Sequence, residues 1–139
     1  MHTGNSESFE RGSAMSYYDI FLLLVFFQLK HLLADYFWQG NYMLGKFKDK
    51  GWILPLSAHG GVHAVFTLLI VGVYTMNPFA AIGLALADFI IHILVDRAKV
   101  VSSRGLTTQN AKFWHMLGCD QFIHHMTHYL IIFCMIYIR

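Results

Sequence analysis

Four long apolar segments dominate the pattern of hydrophobic and polar positions along the chain. A helix of about 20 mostly apolar residues is long enough to cross the hydrocarbon core of a bilayer. A soluble helical bundle would need a charged outer face on every helix, which these segments lack. The pattern predicts an all-α, antiparallel bundle of four transmembrane helices in residues 17–139, with residues 1–16 as a disordered tail. The predicted spans are 17–39, 52–76, 79–97 and 113–138.

The connections between the segments predict how the bundle lies in the membrane. Met76, Asn77 and Pro78 predict a tight turn, in which Asn77 caps the third helix and Pro78 occupies its first turn. The two longer loops carry most of the cations, and the positive-inside rule places these loops in the cytoplasm and both termini outside it. The loop cations are Lys46, Lys48, Lys50, Lys99, Arg104 and Lys112.

The composition supports a membrane protein and argues against other classes. Charged residues make up 13% of the chain, against about 25% in a soluble domain. The net charge is only +2, and we expect no nucleic acid as a partner. The four predicted spans make membrane lipids the expected partners.

Each predicted span carries titratable residues four positions apart, which places them on one face of a helix. These stripes fall late in the first and third spans and early in the second and fourth. Because neighbouring spans run antiparallel, all four stripes lie in one leaflet, and we predict that they form a buried His/Asp cluster near the cytoplasmic face. The ten residues are His31, Asp35, His59, His63, Asp88, His92, Asp96, Asp120, His124 and His128.

The cost of burying these carboxylates argues for a metal ion. An aspartate at mid-membrane costs about 2.5 to 3.5 kcal/mol, and one or two divalent cations would offset several of them. Imidazole and carboxylate suit zinc first, with iron or manganese as alternatives. A hydrogen-bonded proton relay or a purely structural network remains the competing interpretation.

The ten residues are expected to differ in role. Three of them, His63, Asp96 and His128, are candidates for ligand, general base or a group that orients a ligand. The seven expected ligands are His31, Asp35, His59, Asp88, His92, Asp120 and His124. His125 lies roughly 100° from its neighbour His124 on the helix and is not expected to bind.

Several other residues carry simpler expectations. We expect Lys30 and His115 at the membrane interface, and Lys99 either there or as an extension of the third stripe. Gly60 and Gly61 are expected to allow close helix approach.

Four sequence stretches together resemble a known family. HLLADYFWQ, HGGVH, DFIIHILVD and DQFIHH are similar to a bacterial and phage membrane family, domain of unknown function 3307, over about residues 18–138. The resemblance implies a multi-pass protein of the bacterial inner membrane and implies no activity. More distantly, the His and Asp placement resembles small membrane-bound metal-dependent hydrolases.

Two main functions follow as hypotheses. The first is a metal-dependent hydrolase acting on a lipid or on a lipid-linked phosphate or ester. The alternative is a divalent metal-ion transporter or sensor. A transporter with only four spans would need to form a homo-oligomer. A third hypothesis is a non-catalytic membrane protein with a structural polar core. The almost wholly apolar outer halves of the spans favour the hydrolase. The cations that we expect to attract anionic headgroups are Lys46, Lys48, Arg97, Lys99 and Arg104.

Overall fold

A computed structural model describes residues 15–138, and in this part of the chain every regular element is helical. The long helices are α1 (Tyr17–Leu32), α2 (Ile53–Thr75), α3 (Pro78–Ser102) and α4 (Ala111–Ile138). They form the predicted antiparallel four-helix bundle, which is therefore confirmed.

The outer surface of the bundle is apolar on every helix. Val25, Val73, Leu94 and Phe122, one from each helix, are exposed by 37%, 70%, 63% and 63%. All four helices are long and apolar enough to cross a membrane. Length, composition and surface together indicate an integral membrane protein.

The N-terminal end of α1 is fixed by a capping box. The Ser16 hydroxyl accepts a hydrogen bond from the Asp19 backbone at 3.1 Å, and the Asp19 carboxylate accepts one from the Ser16 backbone at 3.0 Å. Ser16 was predicted to lie in the disordered tail, but it is the N-cap residue of α1. The rest of that tail prediction, over residues 1–14, lies outside the described residues.

At its other end, α1 widens into a π-helical geometry. It continues as a π-helical turn (Leu33–Phe37), which carries Asp35. A 3₁₀ turn (Met43–Phe47) then covers the end of the bundle before α2 begins. π-helical turns are rare in proteins, and those that occur are often found at functional sites.

The turn between α2 and α3 has the predicted chemistry. The Asn77 side chain accepts a hydrogen bond from the Ala80 backbone at 3.1 Å, and Pro78 opens the helix. Met76 closes α2 in the left-handed conformation, with φ of 51°. The two helices therefore reverse direction within two residues.

The predicted end of the third helix was wrong. Residues 98–102 continue α3 to Ser102, so that Arg97 and Lys99 are helical. Residues 98–102 contain no proline or glycine that would end the helix. Arg97 instead stacks its guanidinium over the Trp52 ring, 4.0 Å from the centroid.

Helices α2 and α3 make the most extensive contact in the bundle. A Cβ atom on Gly60 would lie 3.1 Å from Ile93 Cγ1, whereas one on Gly61 would meet nothing within 4 Å. The close approach predicted for both glycines is therefore confirmed for Gly60 and wrong for Gly61.

The bundle divides into two halves along its axis. The apolar half, near the α2–α3 turn, contains a core cluster whose members are at most 3% exposed; they are Leu23, Phe27, Val71, Ala81, Ile131, Ile132 and Met135. The polar half, near the two longer loops, contains the histidines and aspartates. The predicted buried His/Asp cluster is confirmed.

Candidate metal centre

The polar half gathers the titratable residues of all four helices. Asp35 keeps 17% of its side chain exposed, and the other nine predicted residues are buried. These nine are His31, His59, His63, Asp88, His92, Asp96, Asp120, His124 and His128.

Asp35 and three histidines form the first group of converging donors. Asp35 Oδ1 lies 3.1 Å from His63 Nε2 and 3.3 Å from His59 Nε2. The His92 ring stacks on His63 with centroids 3.8 Å apart. One potential ligand atom from each of the four lies within 4.8 Å of all the others. The group thus offers four donors from α2, α3 and the π-helical turn.

A second group lies beside the first and shares His92. Asp96 Oδ2 lies 3.8 Å from His92 Nε2, and Asp96 Oδ1 lies 3.4 Å from His124 Nε2. The ligand atoms of this group also lie within 4.8 Å of one another. Three donors here come from α3 and α4.

Several of the imidazole nitrogens have no hydrogen-bond partner in the described chain. Both ring nitrogens of His59 and of His92 are buried without a hydrogen bond, as is His124 Nε2. The three Nε2 atoms each lie 3.3 to 3.8 Å from a carboxylate oxygen without forming a hydrogen bond to it. Such orphaned groups cost free energy unless a further partner satisfies them. Zn–N bonds of 2.0 to 2.1 Å in tetrahedral geometry place ligand atoms about 3.3 Å apart, close to the separation of His59 Nε2 and Asp35 Oδ1. The two groups could therefore hold a metal ion.

Other cluster members surround these groups. His31 Nε2 lies 3.3 Å from Asp35 Oδ2 and 3.1 Å from the Gln121 amide oxygen. His128 packs on the apolar side, with its ring 5.2 Å from that of Phe27. Neither histidine belongs to the two converging groups. His31 is placed to orient Asp35, whereas His128 packs against the His31 ring at 5.4 Å.

Asp88 lies among different partners from those that we expected. Its carboxylate contacts Lys30 Nζ at 2.5 Å and accepts a hydrogen bond from the Thr67 hydroxyl at 2.6 Å. Lys30 also donates to Thr67 at 2.8 Å. Asp88 therefore stands apart from both converging groups.

The prediction that Lys30 lies at the membrane interface was wrong, because this residue is 2% exposed. Its ammonium is satisfied inside the bundle by Asp88, from a helix 58 residues away in sequence. Thr67 follows His63 by four positions and continues the stripe of α2. The same spacing rule could therefore have placed its hydroxyl in the cluster.

Two more lysines neutralise cluster carboxylates. Lys46 donates to Asp96 at 2.7 Å and is 6% exposed, so it is unavailable to lipid headgroups as it stands. Lys99 lies 3.8 Å from Asp120 and is 22% exposed, so it contacts the cluster and is also partly open to the surroundings, in keeping with either expected position.

The lysines leave one carboxylate uncompensated. Within the described residues no lysine is paired with Asp35, which contacts only histidines His31, His59 and His63. A carboxylate surrounded by imidazoles is a typical environment for a divalent transition metal. Asp35 therefore marks the point of the cluster where added positive charge is best accommodated.

Comparison with known proteins identifies the family. Residues 22–139 match the family described as "Protein of unknown function (DUF3307)". The chain belongs to the DUF3307 family. No curated protein and no solved structure matches the chain. The resemblance to the DUF3307 family is confirmed, and the more distant likeness to metal-dependent hydrolases is not confirmed.

Proposed function

We propose that this protein is a membrane-embedded, metal-dependent hydrolase that holds one divalent ion, zinc first, in the four-donor group. The observation that carries the proposal is the set of buried, unpartnered imidazole nitrogens around Asp35. The donors are Asp35, His59, His63 and His92. By the positive-inside rule, we place this centre in the cytoplasmic leaflet of the bacterial inner membrane.

Charge balance favours one ion over two. Three of the four cluster carboxylates already face a lysine, and only Asp35 does not. One divalent ion would leave a small positive excess, whereas two would leave a large one in surroundings where charge is expensive. The sharing of His92 between the two groups points the same way.

His124 is the best-placed group to move a proton. Its Nε2 lies 3.4 Å from Asp96 and 3.5 Å from Asp120 Oδ1. Both carboxylates face the same ring nitrogen, so they position Nε2, which can accept and return a proton. This arrangement favours His124 as general base over the sequence candidates His63, Asp96 and His128.

The reaction is hydrolysis of an ester or phosphoester. A divalent ion would supply Lewis-acid polarisation and a nucleophilic water at neutral pH. The water oxygen bonds to phosphorus or carbonyl carbon, and the bond to the leaving alcohol oxygen breaks. One water proton passes to His124 and from there to the leaving oxygen, while the other stays with the acid product.

The apolar half supports hydrolysis over transport. A transported ion needs polar groups along its whole path. The far end of the bundle is instead filled by side chains such as Leu23, Phe27 and Met135, none of them measurably exposed. Among residues 15–138, an ion in the cluster therefore has no polar route to the far end of the bundle.

The test measures metal and activity on the same proteins. Wild type, His59→Ala and His124→Ala are purified in detergent without an affinity-metal resin, then examined by elemental analysis and with a chromogenic phosphate ester. We expect His59→Ala to lose both the ion and hydrolysis. We expect His124→Ala to keep the ion and to lose hydrolysis by a factor on the order of 10² to 10⁴.

His115→Ala is the matched control, since His115 is exposed near the start of α4. It should keep both the ion and the activity. A metal-free wild type would overturn the metal centre. Loss of the ion in His124→Ala with retention in His59→Ala would move the ion to the second group. A metal-loaded wild type that hydrolyses neither phosphate nor carboxylic esters would overturn the hydrolase.

A further inference from the structure

A groove runs between α3 and α4 on the outer surface of the polar half. Its volume is about 280 Å³. Its walls are largely apolar, from Val95 and Ala98 on α3 and from Met116 and Ile123 on α4. Since the outer surfaces of these helices are apolar, the groove opens sideways toward the lipid.

A second cavity, of about 630 Å³, lies at the end of the bundle next to the loop between α3 and α4. Ser103, Arg104 and Phe113 line it. Lys99 lines both the cavity and the groove. Lys99 therefore stands where an apolar channel for a chain meets a polar space for a headgroup.

The cations of this region are available to an anion. Arg104 pairs with Asp49 at 2.8 Å, but the two side chains are 51% and 80% exposed. An exposed pair of this kind contributes little and is easily exchanged. Lys99 is 22% exposed and lies 3.8 Å from Asp120, a distance that leaves room for a closer partner.

Asp120 connects the groove to the candidate metal centre. It lines the groove, its Oδ2 faces Lys99 at 3.8 Å and its Oδ1 faces His124 Nε2 at 3.5 Å. Asp120 Oδ1 is buried and has no hydrogen-bond partner in the described chain. Asp120 thus contacts both Lys99, where an anion would be held, and the imidazole that we assign as the base.

We propose that the α3–α4 groove binds an anionic membrane lipid whose headgroup is a terminal phosphate, and that this lipid reaches the centre sideways from the bilayer. Lys99 and Arg104 bind the phosphate, and the apolar walls hold the first part of an acyl chain. The proposal names the substrate class of the proposed hydrolase, and its catalytic part rests on that proposed function. The lipid-binding site itself is argued from the groove, its two cations and Asp120.

Cys119 gives a direct readout, because it is exposed and lines the groove. In a Cys134→Ala protein it is the single cysteine of the chain. Its rate of maleimide alkylation is measured in a neutral detergent with dioleoyl phosphatidate, dioleoyl phosphatidylcholine or inorganic phosphate. We expect phosphatidate to slow alkylation several-fold, and the other two to leave the rate unchanged.

Lys99→Gln should abolish this protection, whereas Lys112→Gln, which removes the same charge outside the groove, should retain it. Equal protection by phosphatidylcholine, or full protection in Lys99→Gln, would overturn the proposal. Protection by inorganic phosphate alone would show a free-anion site. Protection that rises with protein concentration without lipid would show a second copy of the chain on this face; each result would overturn the lipid site.

The same measurement on the His59→Ala protein separates this inference from the proposed function. Protection that persists without bound metal supports the groove independently of the metal centre. Absence of protection in a metal-loaded wild type would overturn the groove and leave the metal centre standing.

Discussion

The apolar and polar halves of this bundle are stabilised by different kinds of interaction. In the apolar half, side chains such as Leu23, Val71 and Met135 fill the space between the helices and make non-directional packing contacts. In the polar half, directional contacts join particular polar groups on different helices, as in Lys46 with Asp96 and His31 with Gln121. Packing allows substitution more readily than such pairs do.

The difference shows where specificity in the bundle resides. In lipid, association of apolar helices gains little from hydrophobicity, because the lipid is as apolar as the side chains. The apolar half therefore supplies dispersion contacts and closes the far end of the bundle to polar groups. The polar half determines how the four helices are positioned, since a shifted helix would leave a buried charge unpaired. We expect substitutions in the two halves to separate stability from metal binding.

The largest effect is expected at the border of the two halves. Lys30→Met would leave Asp88 buried with Thr67 alone, and breaking a buried pair by removing one partner costs about 3 to 5 kcal/mol. We expect the free energy of unfolding in mixed micelles to fall by that amount. We expect metal content per folded chain to stay unchanged, because Asp88 lies outside both converging groups.

The double variant Lys30→Met/Asp88→Leu is the control for this change. Removing both charges leaves no unpaired ion, so most of the lost stability should return. Loss of metal from correctly folded Lys30→Met protein would contradict the comparison and would support the sequence prediction that Asp88 is a ligand.

A smaller effect is expected from the apolar half. Leu23 is completely buried in the core cluster, and Leu23→Ala would leave a cavity. We expect a loss of about 2 kcal/mol, at the low end for Leu→Ala in water-soluble cores, because lipid replaces part of the transfer term. Metal content should not change, and unfolding in mixed micelles with elemental analysis measures both.

Leu29→Ala on the same helix is the matched control, since Leu29 is 47% exposed. It removes the same atoms from the outer face and should change stability by less than about 0.5 kcal/mol. Equal losses in the two variants would mean that the apolar half does not pack as described.

The sequence predicted the spans and the register of the stripes because both depend on simple periodicity. Residues four apart share a face, and antiparallel spans bring late stripes beside early ones, so the convergence of Asp35 with His59 and His63 follows from counting. The end of α1 did not follow, because nothing in Leu33–Phe37 distinguishes a π-helical turn from an α-helical one.

The lysine partners could not be predicted in the same way. A lysine near the end of a membrane span ordinarily extends its side chain to the interface, and Lys30 was interpreted so. Its contact with Asp88 depends on which faces of α1 and α3 meet, a property of the assembled bundle. Lys46 lies in the short 3₁₀ turn between α1 and α2, where the sequence shows no periodicity, so its approach to Asp96 had no sequence signal. Lys99, three positions after Asp96, did have one.

The smallest change in stability is expected from substitutions at two adjacent glycines of α2, which test how the α2–α3 contact positions the metal centre. A methyl group on Gly60 would press on Ile93 and Phe89 of α3, whereas one on Gly61 would meet open space. Gly60→Ala should cost about 1 kcal/mol net, since overpacking outweighs the gain in helix propensity, and Gly61→Ala should stabilise by up to about 1 kcal/mol. Gly60→Ala should also weaken metal binding, because His59 follows the displaced helix while His92 stays on α3. Unfolding in mixed micelles and metal titration compare the two variants directly, and identical behaviour would mean that the α2–α3 contact does not set the geometry of the centre.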